Sequence, residues 1–296
     1  MDKRITLARA YGVAVALLWG LSFLSIKVAV SAMPPMTLAV ARFVIACALL
    51  PLIAKLAKED LRVRARDLPL FAASGFVGIS LYFLGENNGV SLLSASESSL
   101  IIATIPVLTM LAERIFVRTR LGARAYAGAA LSFAGVALIV ARSEGAASSP
   151  LGFLYMGVAA LSWVGYSFLT RLLPSSYGRV TVTFWQSLFG LAGCVPFALA
   201  ESGSWTIPSL AVSLNVVYLG IACSAVGYWL YITSMQTLGA GKSSVFINLI
   251  PVVSVVAAFF VLGERLAPIQ LAGGAVAVAG VYLATFPGRP RAAKKG

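Results

Sequence analysis

Long apolar stretches separated by short polar connections run through the whole chain. A helix needs about 20 apolar residues to cross the hydrocarbon core of a bilayer. Stretches of about that length occur at 9–29, 37–54, 68–87, 97–117, 124–141, 151–171, 180–200, 209–235, 243–262 and 267–286. This pattern predicts ten transmembrane helices, helices 1 to 10, and therefore an all-α polytopic membrane protein.

The composition argues against a water-soluble protein and against most enzyme chemistry. Hydrophobic residues make up 59% of the 296 positions and charged residues 11%, whereas a soluble domain carries about 25% charge. The chain has no His, and its cysteines (Cys47, Cys194 and Cys223) lie inside apolar stretches without a CxxC pair. It also lacks the phosphate-binding G-x-x-x-x-G-K-[ST] motif. We therefore expect no metal site, no cofactor and no enzymatic activity.

The basic residues follow the topology of a membrane protein. The net charge is +13, but the Lys and Arg side chains cluster between apolar stretches rather than along one face, so no nucleic-acid partner is expected. If the N-terminus is cytoplasmic, 19 of the 23 Lys and Arg lie on the cytoplasmic side and only Arg142 and Arg265 lie outside. The positive-inside rule thus predicts cytoplasmic N- and C-termini. The basic loop 55–66 is expected to face anionic membrane lipid.

The two halves of the chain are related by an internal repeat. At an offset of 145 residues and without gaps, 16 of the 43 positions from 97 to 139 are identical to their counterparts. The sequence Ile105-Pro106-Val107, for example, aligns with Ile250-Pro251-Val252. The repeat predicts two five-helix units, residues 1–145 and 146–296. Because five is odd, the two units must cross the membrane in opposite senses.

An inverted repeat of this kind is typical of secondary transporters. Two inverted copies of one bundle provide two nearly equivalent packings, one open to each side of the membrane. The substrate site is then expected near mid-membrane, where the halves meet.

Several segments together resemble a known family, the drug/metabolite transporter superfamily in its ten-helix EamA-type branch. The segments are LLWGLSFLSIKVA, ARFVIACALLPL, SSLIIATIPVLTML, SSVFINLIPVVSVV and GERLAPIQLAGGAVAVAGVYL. Within that family the chain is most similar to bacterial exporters of aromatic and other neutral amino acids. The resemblance implies a multi-pass protein of the bacterial inner membrane whose partners are a small-molecule substrate and membrane lipid. It leaves open a multidrug or other metabolite efflux permease, and a monomer is the expected unit.

Aromatic residues at mid-membrane depth are the first candidates for the substrate site. Trp and Tyr normally gather at the membrane interfaces, yet Trp19 and Trp163 lie about ten residues into helices 1 and 6. One interpretation is a cavity wall for large neutral side chains; the other is packing alone. The remaining candidates for this wall are Tyr82, Tyr166, Trp185, Tyr228 and Trp229.

Four ionisable residues within the helices are candidates for gating or coupling. Lys27, Arg42, Glu86 and Glu97 map to the outer ends of helices 1 to 4. They can snorkel to the interface, form gating ion pairs, recognise a zwitterion, or carry a coupling proton. Intramembrane charge is costly and therefore a functional candidate by default. The sequence leaves these alternatives open, but it supplies no Lys or Arg close to mid-membrane to bind a phosphorylated cargo.

Prolines and glycines are the candidates for moving helices and for a scaffold. Pro106 and Pro251 occupy equivalent positions and predict kinks in helices 4 and 9. The kinks either mark paired moving helices or serve packing alone. Asn248, three residues before Pro251, is expected to expose a polar group to the cavity. Glycines spaced seven apart in helices 5 and 10 predict small faces that pack closely and form a static scaffold.

The expected function is export of small neutral metabolites, namely amino acids including aromatic ones, by alternating access.

Overall fold

The structure is a computed structural model that describes residues 3–116, 118, 122–141, 149–238, 246–247 and 249–285. These residues are almost entirely helical and contain no strand. The helical segments are α1 (Lys3–Val30), α2 (Pro35–Ala57), α3 (Ala65–Leu92), α4 (Ala95–Phe116), α5 (Ala123–Ala141), α6 (Pro150–Leu172), α7 (Arg179–Ala200), α8 (Leu210–Leu238), α9 (Ile250–Leu262) and α10 (Pro268–Thr285).

The all-helical membrane fold predicted from hydropathy is confirmed. Within the described part of the chain, seven segments are long and apolar enough to cross a membrane, namely α1 to α4 and α6 to α8. The exact number of crossings and the location of the termini stay predictions. Following the predicted topology, we call the end of the bundle with the α1–α2 and α7–α8 connections the outer end and the opposite end the inner end.

Helices α3 and α8 each contain a π-helical stretch that the hydropathy pattern did not predict. These stretches are Phe76–Leu81 and Leu219–Gly227. The 145-residue offset places 76–81 on 221–226, so the two stretches are equivalent in the repeat. A π-turn disturbs the i to i−4 hydrogen bonding, leaves backbone carbonyls available to other donors, and is frequent at functional sites.

The predicted kink in helix 4 takes the form of a break. Two turn residues, Ala103 and Thr104, interrupt α4 just before Pro106. Pro251 likewise lies in the first turn of α9, after Leu249. Proline is tolerated there because the first backbone N–H groups of a helix have no intrahelical acceptor.

Helices α5 and α10 pack against each other through the predicted glycine faces. A Cβ added to Gly135 would collide with the backbone nitrogen of Ala277, and one added to Gly280 would collide with that of Ser132. Only the absence of side chains lets the two backbones approach this closely. The static role of this pair stays a prediction.

Helices α2 and α7 cap each other's N-termini. Glu201, which follows α7, accepts hydrogen bonds from the backbone N–H groups of Met36 (3.1 Å) and Thr37 (2.8 Å). Glu59, which follows α2, accepts one from the backbone N–H of Val180 (2.9 Å). A carboxylate at a helix N-terminus satisfies free donors and complements the helix dipole. Carboxylates thus link the two helices at both ends of the bundle.

Candidate substrate site

The mid-membrane aromatic residues form one cluster. The ring centroids of Trp19 (α1) and Trp163 (α6) lie 5.3 Å apart with an interplanar angle of 86°. Around Trp163, at centroid distances of 5.2 to 5.8 Å, lie four tyrosines: Tyr82, Tyr166, Tyr228 and Tyr231. Edge-to-face and tilted contacts of this kind are favourable beyond the area they bury. We call these six residues the aromatic cluster.

A small buried cavity lies beside the aromatic cluster, between residues of both halves of the chain. It is lined by Trp19, Ser22, Phe23, Arg42, Tyr82, Phe83, Glu86, Ile102, Ile105, Trp163, Tyr228, Ile247 and Ile250. Its volume of about 30 Å³ has room for about one water molecule. An amino acid can enter only if the rings, or the helices that carry them, move apart.

Arg42 lines this cavity and is almost completely buried, with 2% of its surface exposed. Its Nε donates a hydrogen bond to Ser224 Oγ (2.8 Å) in the π-helical stretch of α8. Its guanidinium carbon lies 4.4 Å from the ring centroid of Phe83, a cation–π contact. Its Nη1, however, is buried without a hydrogen-bond acceptor among the residues that the structure describes. The side chain is therefore held by its neighbours but keeps an unused donor.

Glu86 lines the same cavity and is 4% exposed. Its Oε1 accepts a hydrogen bond from the hydroxyl of Tyr82 (2.8 Å), a member of the aromatic cluster. Within the described residues, Arg42 and Glu86 form no direct ion pair. The cavity thus carries one positive and one negative side chain that do not neutralise each other by contact.

Lys27 lies at the outer end, where it caps a helix. Its Nζ donates to the backbone carbonyls of Leu93 (2.6 Å) and Val90 (3.0 Å) at the C-terminus of α3. A cation there satisfies terminal carbonyls and complements the negative end of the helix dipole. Lys27 therefore does not contribute to the lining of the cavity.

Glu97 also lies at the outer end, at the N-terminus of α4. It forms a capping box with Ser94, in which each side chain accepts a hydrogen bond from the backbone N–H of the other residue. Glu264, from the α9–α10 connection, accepts from the backbone N–H groups of Ala95 (3.0 Å) and Ser96 (3.2 Å). The four predicted intramembrane charges thus separate into two in the cavity and two at helix ends.

Two predicted members of the aromatic wall lie elsewhere. Trp185 donates from Nε1 to the backbone carbonyl of Leu61 (2.7 Å) and packs near Phe189, which fixes the connection after α2 against α7. Trp229 lies near Tyr11, with ring centroids 6.5 Å apart. Neither residue lines the cavity. Asn248 falls outside the described residues.

On the inner side of the aromatic cluster, a buried polar network joins α3, α6 and α7. Tyr166 donates from its hydroxyl to Gln186 Oε1 (3.0 Å), and Gln186 Nε2 donates to Ser74 Oγ (3.0 Å) and Thr170 Oγ1 (2.9 Å). Beyond it, a more open hollow of about 540 Å³ includes Thr170 and Arg179 in its lining. The network therefore lies between the aromatic cluster and the inner ends of α3, α6 and α7.

Sequence reasoning missed Tyr231, Gln186 and Ser224. Tyr231 lies three residues after Tyr228, on the same face of α8, so helical spacing alone could have indicated it. Gln186 is an isolated amide within an apolar stretch, and a buried amide requires partners. Ser224 had no signal in the sequence, because its importance comes from the approach of α2 to the π-helical stretch of α8.

Comparisons with known proteins agree with this architecture. The pattern of the EamA-like transporter family matches residues 6–141 and again residues 150–286. An "Uncharacterized transporter" of Archaeoglobus fulgidus is 32% identical over 90% of this chain and 94% of its own length. A "Probable terminal-alkyne amino-acid exporter" of Streptantibioticus cattleyicolor is 32% identical over 75% and 74% of the two chains. A "Probable amino-acid metabolite efflux pump" of Escherichia coli is 27% identical over 95% of both.

A solved crystal structure shares the fold. It matches with a TM-score of 0.68 at 23% sequence identity, and the match covers 94% of this chain and 96% of the other. The two matches to one family pattern, the apolar helices and the extended similarity to transporters all describe a multi-pass membrane protein with a two-repeat fold. On this basis, the chain belongs to the EamA-like transporter family.

Proposed function

We propose that this protein exports small neutral metabolites across the bacterial inner membrane by alternating access. The proposed metabolites are amino acids, including aromatic ones. The observation that carries the proposal is the buried cavity between the two halves. Aromatic rings form its wall, and one cationic and one anionic side chain face into it. Aromatic faces suit large apolar side chains, and a few buried polar groups fix a ligand's orientation.

Similarity supports the amino-acid part of the proposal. Two of the relatives carry names that refer to amino-acid export or amino-acid metabolite efflux. Both match this chain over at least three quarters of its length. Amino acids are also compatible with a cavity of zero net charge.

Three features support alternating access. The repeat supplies two similar bundles. The part of α4 after its break starts at Ile105, next to Pro106, and α9 starts at Ile250, next to the equivalent Pro251. Every residue that lines the cavity is also buried. A transporter that alternates passes through an arrangement in which its substrate site is buried.

Phosphorylated cargo fits the cavity less well, but for a different reason than the sequence suggested. The sequence supplies no basic residue close to mid-membrane, but Arg42, on the outer side of mid-membrane, lines the cavity. Arg is well suited to bind phosphate. The buried carboxylate of Glu86 in the same cavity, however, opposes a ligand with two negative charges.

The test is uptake into liposomes that contain the purified protein. Radiolabelled phenylalanine, threonine and a sugar phosphate would be supplied with and without an imposed proton gradient. The proposal predicts uptake of the two amino acids above that of protein-free liposomes, and no uptake of the sugar phosphate. Absence of amino-acid uptake by folded protein under both conditions would contradict it. The gradient tests coupling in the same experiment.

A further inference from the structure

The cavity presents two unlike charges that the protein itself leaves incompletely used. Arg42 Nη1 is buried without an acceptor, and Glu86 accepts only the one hydrogen bond from Tyr82 among the described residues. A buried donor without a partner costs about 1–3 kcal/mol, and more when it is charged. A buried donor without a partner requires an explanation, and an acceptor supplied by a bound ligand is one that fits a donor beside a cavity.

Both side chains are held in place by contacts that leave other hydrogen-bonding groups available for a ligand. Ser224 Oγ accepts a hydrogen bond from Arg42 Nε, and the ring of Phe83 lies against the guanidinium group. The hydroxyl of Tyr82 occupies one oxygen of Glu86. The remaining N–H donors of the arginine have the fork geometry that suits a carboxylate.

Helix geometry places these charges beside the aromatic cluster rather than at the outer interface. Arg42 lies seven residues into α2, and Glu86 lies six residues from the end of α3. At 1.5 Å per residue, both are roughly 10 Å from the outer end of their helices, about a third of the way across the hydrocarbon core.

We propose that Arg42 and Glu86 form a two-point site for a zwitterion. Arg42 binds the α-carboxylate of the substrate, Glu86 binds its α-ammonium group, and the aromatic cluster receives its side chain. The substrate class is thus free α-amino acids with both termini charged. This inference rests on the proposed export function and adds to it the residues that select the cargo.

The charge of the cavity sets which compounds are rejected. An amino-acid amide lacks the carboxylate and leaves its ammonium group in a cavity that also contains Arg42. A carboxylic acid without an amino group leaves Glu86 without a partner and adds a second negative charge. In either case one buried charge remains unpaired, which is the arrangement that binding sites discriminate against most strongly.

The test is competition for phenylalanine uptake in reconstituted liposomes. Unlabelled L-phenylalanine, L-phenylalaninamide and 3-phenylpropanoate would compete with radiolabelled L-phenylalanine. We expect the two analogues to compete at least about ten-fold more weakly than phenylalanine, since each loses a hydrogen-bonded ion pair. Arg42→Gln should abolish the discrimination against the amide, and Glu86→Gln the discrimination against 3-phenylpropanoate.

Lys27→Gln is the matched control, because Lys27 is the other intramembrane cation but is engaged with the carbonyls of α3. It should leave the competition ratios unchanged, whatever its effect on the amount of folded protein. The wild-type ratios decide the proposal even if Arg42→Gln does not fold.

The outcomes separate this inference from the proposed function. If wild-type protein takes up no amino acid, the export function fails and the inference fails with it. If it takes up phenylalanine but the amide or 3-phenylpropanoate competes equally well, the export function stands and the two-point site is wrong. If a folded Arg42→Gln protein still discriminates against the amide, the assignment of Arg42 is wrong.

Discussion

At the scale of single residues, the sequence predicts how deep a side chain lies in the membrane better than it predicts which way the side chain points around its helix. The depth of Trp19 and Trp163 could be read from the sequence, and both lie in the aromatic cluster. The sequence did not show which face of a helix points towards the cavity. Tyr228 and Trp229 are neighbours in sequence and therefore point about 100° apart, so only Tyr228 reaches the cavity.

Trp163 is the residue whose replacement should change substrate preference most. Trp163→Ala removes a ring that touches both the cavity and the four tyrosines of the cluster. Burial of an aromatic side chain contributes roughly 1.5–3 kcal/mol. We therefore expect uptake of phenylalanine relative to threonine to fall by about ten-fold or more, measured per amount of folded protein.

Trp185→Ala makes the same chemical change outside the cavity. It deletes the hydrogen bond to Leu61 and leaves a void, so folded protein should decrease. The ratio of phenylalanine to threonine uptake should stay that of the wild type. If Trp163→Ala also leaves the ratio unchanged, Trp163 has only a packing role.

At the scale of helices, the apolar pattern predicted where each segment lies but not how its backbone deviates. The π-helical stretches in α3 and α8 have no hydropathy signature. In α8, the carbonyl of Cys223 accepts a hydrogen bond from Trp19 Nε1 of another helix (3.2 Å). The caps of α2 and α7, and the second cap of α4 by Glu264, also come from distant loops. Local sequence cannot encode a partner 120 to 170 residues away.

The reciprocal capping of α2 and α7 makes a prediction about stability. Glu201→Gln removes the negative charge at the N-terminus of α2, and such caps contribute about 0.5–2 kcal/mol. We expect Tm of the protein in detergent to fall by about 2–4 °C. Asp60→Asn is the control, because its ion pair with Arg62 is highly exposed and contributes little. Equal Tm values for the two variants would show that the caps do not stabilise the protein.

Helix α4 is predicted to move during transport, and this movement can be blocked. In a double variant, Ser96→Cys with Glu264→Cys, a short cleavable thiol cross-linker would hold the start of α4 to the α9–α10 connection. Transport should stop on cross-linking and return on cleavage of the linker, because the outer end can no longer open.

The control for this experiment joins helices that are predicted to remain static. The Nε of Arg124 donates to the carbonyl of Leu283 (3.2 Å), which links α5 to α10. The double variant Arg124→Cys with Leu283→Cys should transport equally well before and after cross-linking. Full transport with the α4 cross-link in place would show that the break near Pro106 is a packing feature.

At the scale of the whole molecule, the repeat and the charge pattern carried most of the prediction. The 145-residue offset predicted two bundles, and the family pattern matches the chain twice. The volume of the central cavity could not be predicted, because it depends on how the six aromatic rings of its lining fit together. These rings belong to Trp19, Phe23, Tyr82, Phe83, Trp163 and Tyr228. Sequence periodicity identifies helix faces but not the spacing between bundles.

The orientation follows from the charge pattern and can be tested by cysteine labelling. Ala32, Gly203 and Ala57 are all exposed, and Thr206 donates to the carbonyl of Ala32 (3.1 Å), which joins the two outer connections. In a cysteine-free background, impermeant reagents added outside cells should label cysteines at Ala32 and Gly203 but not at Ala57. The reverse pattern would invert the topology.

The central claim is that the aromatic cavity is the transport site and opens to each side in turn. Ser22 lines that cavity and is 4% exposed. In protein without the native cysteines, Ser22→Cys should react with an impermeant thiol reagent supplied from either side of the membrane, and phenylalanine should slow both reactions. Ser132→Cys, buried between α5 and α10, should react from neither. A protein that transports phenylalanine while Ser22→Cys reacts from one side only, or from neither, would contradict the account.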